Sequence, residues 1–133
     1  MINNAIVTSS TITVPTLVFT ASGQRAVTTM VLVNQGIPDP LGDESINSCN
    51  VNIYIVKSDG GSVGLQSLIV SSLPVPAGET VFLSEERMVL DDGDQIWVGA
   101  SALSNGNTTY GYSTTPAGPG NPLIVVTVSS LQV

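Results

Sequence analysis

An all-β chain is what this sequence predicts: a single antiparallel β-sandwich of jelly-roll or immunoglobulin-like type with about eight strands. Three observations carry that prediction. Val, Ile, Leu and Thr fill short runs with period-two alternation, which places successive side chains on opposite faces of a strand. Gly, Pro, Asn and Asp punctuate those runs roughly every 8 to 15 residues, the rhythm of a sandwich. No stretch of about ten residues carries the 3.6-residue periodicity of a helix. The 133 residues suit one core that buries roughly two-thirds of the unfolded surface without a disulfide or metal.

Taken in order, residues 1–10 (MINNAIVTSS) read as a polar N-terminal arm, and residues 11–133 as the sandwich with insertions at 37–48 and 105–122. Residues 11–20 (TITVPTLVFT) form a strand in which Pro15 cannot donate to a ladder and so marks an edge or a bulge. Residues 26–34 are apolar on both faces, with Val27, Thr29, Val31 and Val33 opposite Thr28, Met30 and Leu32, as in a central strand. Residues 37–48 (IPDPLGDESINS) combine prolines, a glycine and acids into a loop, the first place to expect a contact surface.

Residues 50–57 alternate cleanly, with Val51, Ile53 and Ile55 inward and Asn52 and Tyr54 outward, before the tight turn Ser58-Asp59-Gly60-Gly61. A strand over residues 65–71 follows, and residues 73–78 turn the chain into another at 79–83. Residues 86–90 and 94–101 read as a hairpin closed by Asp91-Asp92-Gly93, whose residues tolerate positive φ. Trp97 alternates away from Ile96 and Val98 and is read as a core or inter-sheet residue ahead of an interface anchor. Residues 105–122 (NGNTTYGYSTTPAGPGNP) are too long and polar for a hairpin loop and predict a projecting one. Residues 123–133 form a terminal strand suited to the centre of a sheet or to pairing across an interface.

The composition argues against catalysis. The chain has no histidine, one cysteine and three cations, Arg25, Lys57 and Arg87, so the usual general bases and activated nucleophiles are missing. Glu85, Glu86, Asp91, Asp92 and Asp94 gather half of the ten acids, and paired carboxylates suit a glycosidase, but the aromatic supply for a sugar cleft is thin. Asp91, Asp92 and Asp94 form a weak calcium candidate, lacking the register and distal Glu of an EF-hand. No other metal and no cofactor is expected. A net charge of −7 speaks against direct nucleic-acid binding, which needs Lys and Arg to displace counterions.

Cys49, the sole cysteine, is expected as a small buried hydrophobe. No signal peptide and no apolar run of transmembrane length is visible, so synthesis in a cytoplasm and no membrane contact are expected. Charged residues make up 10% of the chain against roughly 25% in an ordinary domain. Much of the surface is therefore Ser, Thr, Asn and Gly, or is covered by a partner. A sandwich with one lysine has few of the usual guards on its strand edges, which fits a subunit whose edges neighbours cover.

The stretch 68–101, LIVSSLPVPAGETVFLSEERMVLDDGDQIWVGAS, runs from a hydrophobic strand through a Pro-Ala-Gly-Glu turn to a Leu-Asp-x-Gly-Asp turn and a short apolar strand. NVNIYIVKSDGG precedes it and LIVVTVSS follows. This order resembles small β-sandwich virion structural proteins of tailed bacteriophages, over roughly residues 24–101 and 123–131. The resemblance implies a non-enzymatic protein located in the virion and assembled in the host cytoplasm. Its partners would be the major capsid protein or other virion proteins, and itself as a homo-oligomer. A capsid decoration or cement protein is the leading expectation. A neck, tail or baseplate component is the alternative, and a carbohydrate- or host-receptor-binding module using Trp97, Tyr110 and Tyr112 is the alternative of another class. Expected contact residues are Asn3 and Asn4 in the arm, Asp39, Asp43 and Glu44 in the acidic loop, and Tyr110 and Tyr112 in the long loop. Arg25 and Arg87 would pair with carboxylates across a subunit boundary.

Overall fold

Two antiparallel sheets packed face to face account for nearly all of the structure, a computed structural model that describes residues 2–7, 15–36, 38, 41–42, 47–84, 88–102 (backbone alone at 101 and 102) and 124–133. The strands are β1 (Ile2–Val7), β2 (Thr16–Thr20), β3 (Arg25–Asn34), β4 (Cys49–Val56), β5 (Leu68–Val75), β6 (Thr80–Leu83), β7 (Met88–Leu90), β8 (Gln95–Ala102) and β9 (Ile124–Gln132). One sheet runs β1-β9-β3-β6, with β7 also on β3, and the other runs β2-β8-β4-β5. Because β6 pairs with residues 30–33 of β3 and β7 with residues 25–27, the two are halves of one interrupted strand. Nine segments thus fill eight positions, four to a sheet.

The chain changes sheet at every connection except β4 to β5 and β6 to β7. Repeated crossing of this kind is jelly-roll order. It excludes the immunoglobulin alternative, in which neighbouring strands stay together more often.

The core forms where inward residues of both sheets interdigitate. Val27, Met30, Leu32, Val126 and Val128 of the first sheet belong to one buried cluster with Phe19, Val51, Ile53, Ile96 and Val98 of the second. Each such side chain contributes about 1.5–3 kcal/mol when fully buried. Cys49 is buried in the same cluster.

Bulges decide which residues face inward. In β3 the register shifts between Val27 and Thr29, so Val27 shares the buried face with Met30 and Leu32 while Val31 and Val33 turn outward. Strict alternation across residues 26–34 puts Val27 with Val31 and Val33, and the extra residue of the bulge is what breaks that phase. A second bulge, between Leu17 and Phe19, lets both Val18 and Phe19 be buried.

Three expectations require correction. Residues 2–7 are no arm: β1 pairs along its whole length with β9, because Ala5 and Val7 supply an inward apolar face. Residues 65–67 form a 3-10 turn rather than the start of a strand, held by the Ser67 hydroxyl donating to the Gly64 carbonyl and accepting from its N–H. The expected hairpin at Asp91-Asp92-Gly93 is instead a crossing between sheets, since β7 pairs with β3 and β8 with β2 and β4. Gly93 N–H donates to the Ala21 carbonyl and Asp94 accepts from Ala21 N–H, so the turn binds the loop before β3.

The strand bounds give the sandwich two unlike ends. At one end lie the turn at 21–24, the connection 57–67 and the crossing at 91–94; at the other, β1, β3, β5 and β8 lead into segments 8–15, 35–48, 76–79 and 103–123. The acidic and tyrosine-bearing insertions therefore both arise from strands that stop at this second end.

Candidate assembly interface

Charge is almost absent from the sheets. Within the nine strands Arg25 is the one charged residue, and its Nε donates to the Ser22 carbonyl at the sandwich end. The described acids and Lys57 sit in the connections between strands.

The consequence is clearest on the outward face of the β1-β9-β3-β6 sheet. Register places Ile6, Val125, Val33 and Thr80 side by side, and in the next outward row Asn4, Thr127, Val31 and Phe82. Ile2, Ser129 and Thr29 form a third row, and Leu131, Ala26 and Val89 a fourth. Nine of these fourteen residues are apolar and none is charged. Ile2, Ile6, Phe82, Val89 and Leu131 are each more than half exposed. Single exposed apolar residues are ordinary, but a continuous patch of them marks an interaction surface. No Lys or Pro lies in the edge strand β1, where natural sheets commonly carry such a guard.

The opposite outward face is different. Leu17, Trp97, Tyr54 and Leu68 form a row across the second sheet, yet Tyr54, Val56 and Asn52 there are already buried. Trp97 lies on this outer face, partly buried, with Nε1 donating to Gln95 Oε1 at 2.9 Å; it is not the core residue expected. Asn52 Nδ2 donates to the Tyr54 hydroxyl, and its Oδ1 accepts from Ser72 N–H at 2.7 Å, fixing the β5 bulge where Ser72 has a φ of 54°.

Between the free edges of β5 and β6 an apolar groove of about 590 Å³ opens into the core, with Met30, Ile53 and Leu83 within it and Ile69 and Phe82 exposed along it. Phe82 thus belongs both to this groove and to the uncharged face.

At the short-turn end the acids serve the chain itself. The Asp94 carboxylate, wholly buried, accepts from Lys57 Nζ, from Ser58 N–H at 2.9 Å and from Asp91 N–H at 3.0 Å. Burial alone raises its pKa, but the Lys57 hydrogen bond and the two backbone donors outweigh that and lower it from 3.8 to about 2. The same hydrogen bond to Asp94 raises Lys57 above its ordinary 10.5. Asp91 accepts from Gln24 and Lys57, and Asp92 from Gly23 N–H.

The calcium reading of Asp91, Asp92 and Asp94 gives way to this arrangement, in which an internal ammonium and backbone donors use the oxygens that an ion would need. Among the described residues no group of three or more His, Cys, Asp or Glu is placed to hold a metal.

The other end is closed by a buried amide. Asn34 Nδ2 donates to the carbonyls of Asn47 and Val75 at 2.8 and 2.9 Å, while Oδ1 accepts from Gly36 N–H at 2.8 Å. The residue is fully buried, so it ties the bases of the 35–48 and 76–79 connections together.

Of the expected contact residues, Asn4 lies on the uncharged face, whereas Asn3 points inward with a buried Oδ1 that has no hydrogen-bond partner. Arg25 sits at the sandwich end and bonds within its own chain. Asp39, Asp43, Glu44, Arg87, Tyr110 and Tyr112 lie outside the described residues. The exposed apolar set, Ile2, Ile6, Phe82, Val89 and Leu131, was not singled out from sequence, although strands almost free of charge in a chain of net charge −7 carried the signal. No helix of the described residues is long and apolar enough to cross a membrane. Comparison with protein-family models, with curated proteins and with solved structures finds no match to this chain.

Proposed function

We propose that this chain is a non-enzymatic structural subunit, a bacteriophage virion protein that acts as a capsid decoration or cement protein. The observation that carries the reading is the exposed, uncharged outer face of the β1-β9-β3-β6 sheet. A subunit built to be packed gains from such a face, which a solitary soluble domain would populate with charges. Jelly rolls serve in viral capsids and also in lectins and cupins, so the fold alone does not choose between them. What favours packing over sugar binding is that Trp97 is partly buried and bonded to Gln95, which leaves it a poor stacking platform.

The mechanism is linkage. A protein that binds the mature shell and not its looser states shifts the equilibrium toward the shell by RT ln(1 + [L]/Kd), about 2.7 kcal/mol per site at a hundredfold excess over Kd. Jelly-roll rigidity suits this, because a preformed surface loses little conformational entropy on docking.

Mass photometry of purified protein mixed with phage capsids lacking it tests the reading. Saturation at a stoichiometry fixed by capsid symmetry, with capsids that withstand higher temperature, is the expected result. Rings without capsid binding would move the chain to the neck, tail or baseplate, and binding to glycans alone would replace the structural role with receptor recognition.

A further inference from the structure

We infer that the outward face of the β1-β9-β3-β6 sheet is covered by a second copy of this chain, the two sheets packing face to face. The inference rests on the structural-subunit reading and names the surface through which copies meet.

Three properties of the face point to a copy of itself. First, it offers nothing to a partner selected by charge. Val31, Val125 and Phe82 alternate with Thr127 and Ser129 across its middle rows, and such a surface complements another of the same kind. Second, the net charge of −7 does not prevent pairing there. The segment joining Leu83 to Met88, which carries Glu85, Glu86 and Arg87, leaves and rejoins the sheet at the β6–β7 edge, opposite the middle of β3, but the charged connections at the two ends of the sandwich lie roughly 15 Å from the centre of the face, since β3 and β9 are 10 and 9 residues long at about 3.3 Å per residue. That is about twice the screening length of 8 Å at physiological ionic strength.

Third, the area suffices. At about 3.3 Å per residue β3 and β9 are about 30 Å long, and β1 and the β6–β7 pair are each about 20 Å, so with a spacing of about 4.8 Å the flat footprint is roughly 500 Å² per copy. Two copies bury about 1,000 Å² before side-chain relief is counted, the area at which a biological interface begins. Sheets packed in this way lie about 10 Å apart and align within about 30°, as the two sheets of one sandwich do.

Cys49 is the sole cysteine and is buried, which makes directed cross-linking clean. Cysteines introduced singly as Thr127→Cys, Ser129→Cys and Val31→Cys should give covalent dimers with a short bismaleimide, whereas Leu65→Cys, at an exposed position next to the other sheet, should not. Sedimentation of the unmodified full chain should show a species of twice 13.7 kDa. Thr127→Arg, which sets two like charges against each other at the centre of the pair, should weaken association at least about tenfold. Its thermal unfolding should remain cooperative, showing that the loss is not misfolding.

A chain that stays monomeric at high concentration overturns the inference, as does self-association untouched by Thr127→Arg or cross-linking no stronger at Thr127 than at Leu65. All of these measurements omit capsids. A monomer that still saturates capsids would remove the face-to-face pair and leave the decoration reading standing; a dimer that ignores capsids would do the reverse.

Discussion

Replacing Asp94 with asparagine is the sharpest test of what closes the short-turn end of the sandwich. The carboxylate is wholly buried and accepts from three donors, Lys57 Nζ, Ser58 N–H and Asp91 N–H. Asparagine keeps the shape but turns one acceptor into an NH₂, so a donor must face a donor at either Ser58 or Asp91. Losing a hydrogen bond to a charged acceptor costs about 1.5–3 kcal/mol, and asparagine with its oxygen turned to Lys57 and Asp91 retains two of the three while setting its NH₂ against Ser58 N–H, so Asp94→Asn should cost about 2–3 kcal/mol. For a chain of this length that lowers the Tm by about 7–11 °C.

The pH dependence supplies an independent check. Asp94 has its pKa lowered from 3.8 to about 2 in the folded chain, so its contribution is present above pH 3.8 and is lost as pH falls through about 2. That depression corresponds to roughly 2 kcal/mol once solvent screening at the half-exposed Lys57 is allowed for. Urea unfolding followed by the single tryptophan, Trp97, three residues along the chain, should therefore show a gap between parent and Asp94→Asn that is wide at pH 7 and narrows toward pH 2. A gap below about 1 kcal/mol at pH 7, or one that does not narrow in acid, would refute the account. At the alkaline side the sign reverses: Lys57 is raised above 10.5, so its contribution persists below that pH and is lost as pH rises beyond its folded pKa.

Other expectations follow from the same structure. Asn34→Ala removes two donors and an acceptor from a buried site and should cost about 2–4 kcal/mol in chemical unfolding, while Asn34→Asp, which sets a carboxylate against two carbonyls, should cost more. Gly93 has a φ of +86°, and a Cβ there would stand 3.0 Å from Ser58 Cβ, so Gly93→Ala should lower stability by about 1–3 kcal/mol; a neutral result would show that the crossing relaxes freely. Leu32→Ala in the core should cost about 2–5 kcal/mol, whereas Phe82→Ser on the exposed face should stay within about 0.5 kcal/mol by thermal denaturation at a dilution where the chain is monomeric. Equal losses for the two would mean that Phe82 packs within the subunit.

Alternation alone determined a great deal. The fold class and the inward set Val51, Ile53, Ile96 and Val98 follow from the period of two, because a strand has only two faces and water selects one, and the central place of residues 26–34 follows from apolar residues on both of their faces. The confinement of charge to connections was equally visible, since the strands almost lack it. Tertiary structure decided what local pattern cannot encode. A turn at Asp91-Asp92-Gly93 announces a reversal of direction, but only the partners of β7 and β8 make it a crossing between sheets. Period two says which residues share a face until a bulge shifts the count, as at Val27 and Thr29. The polar look of Asn3 and Asn4 suggested an arm, and only the free edge of β9 turned it into a strand. The sheet order then brought outward residues from β1, β9, β3 and β6 onto one uncharged surface, although they lie far apart along the chain. Local sequence fixes which way a side chain points, and pairing between distant strands fixes what stands beside it.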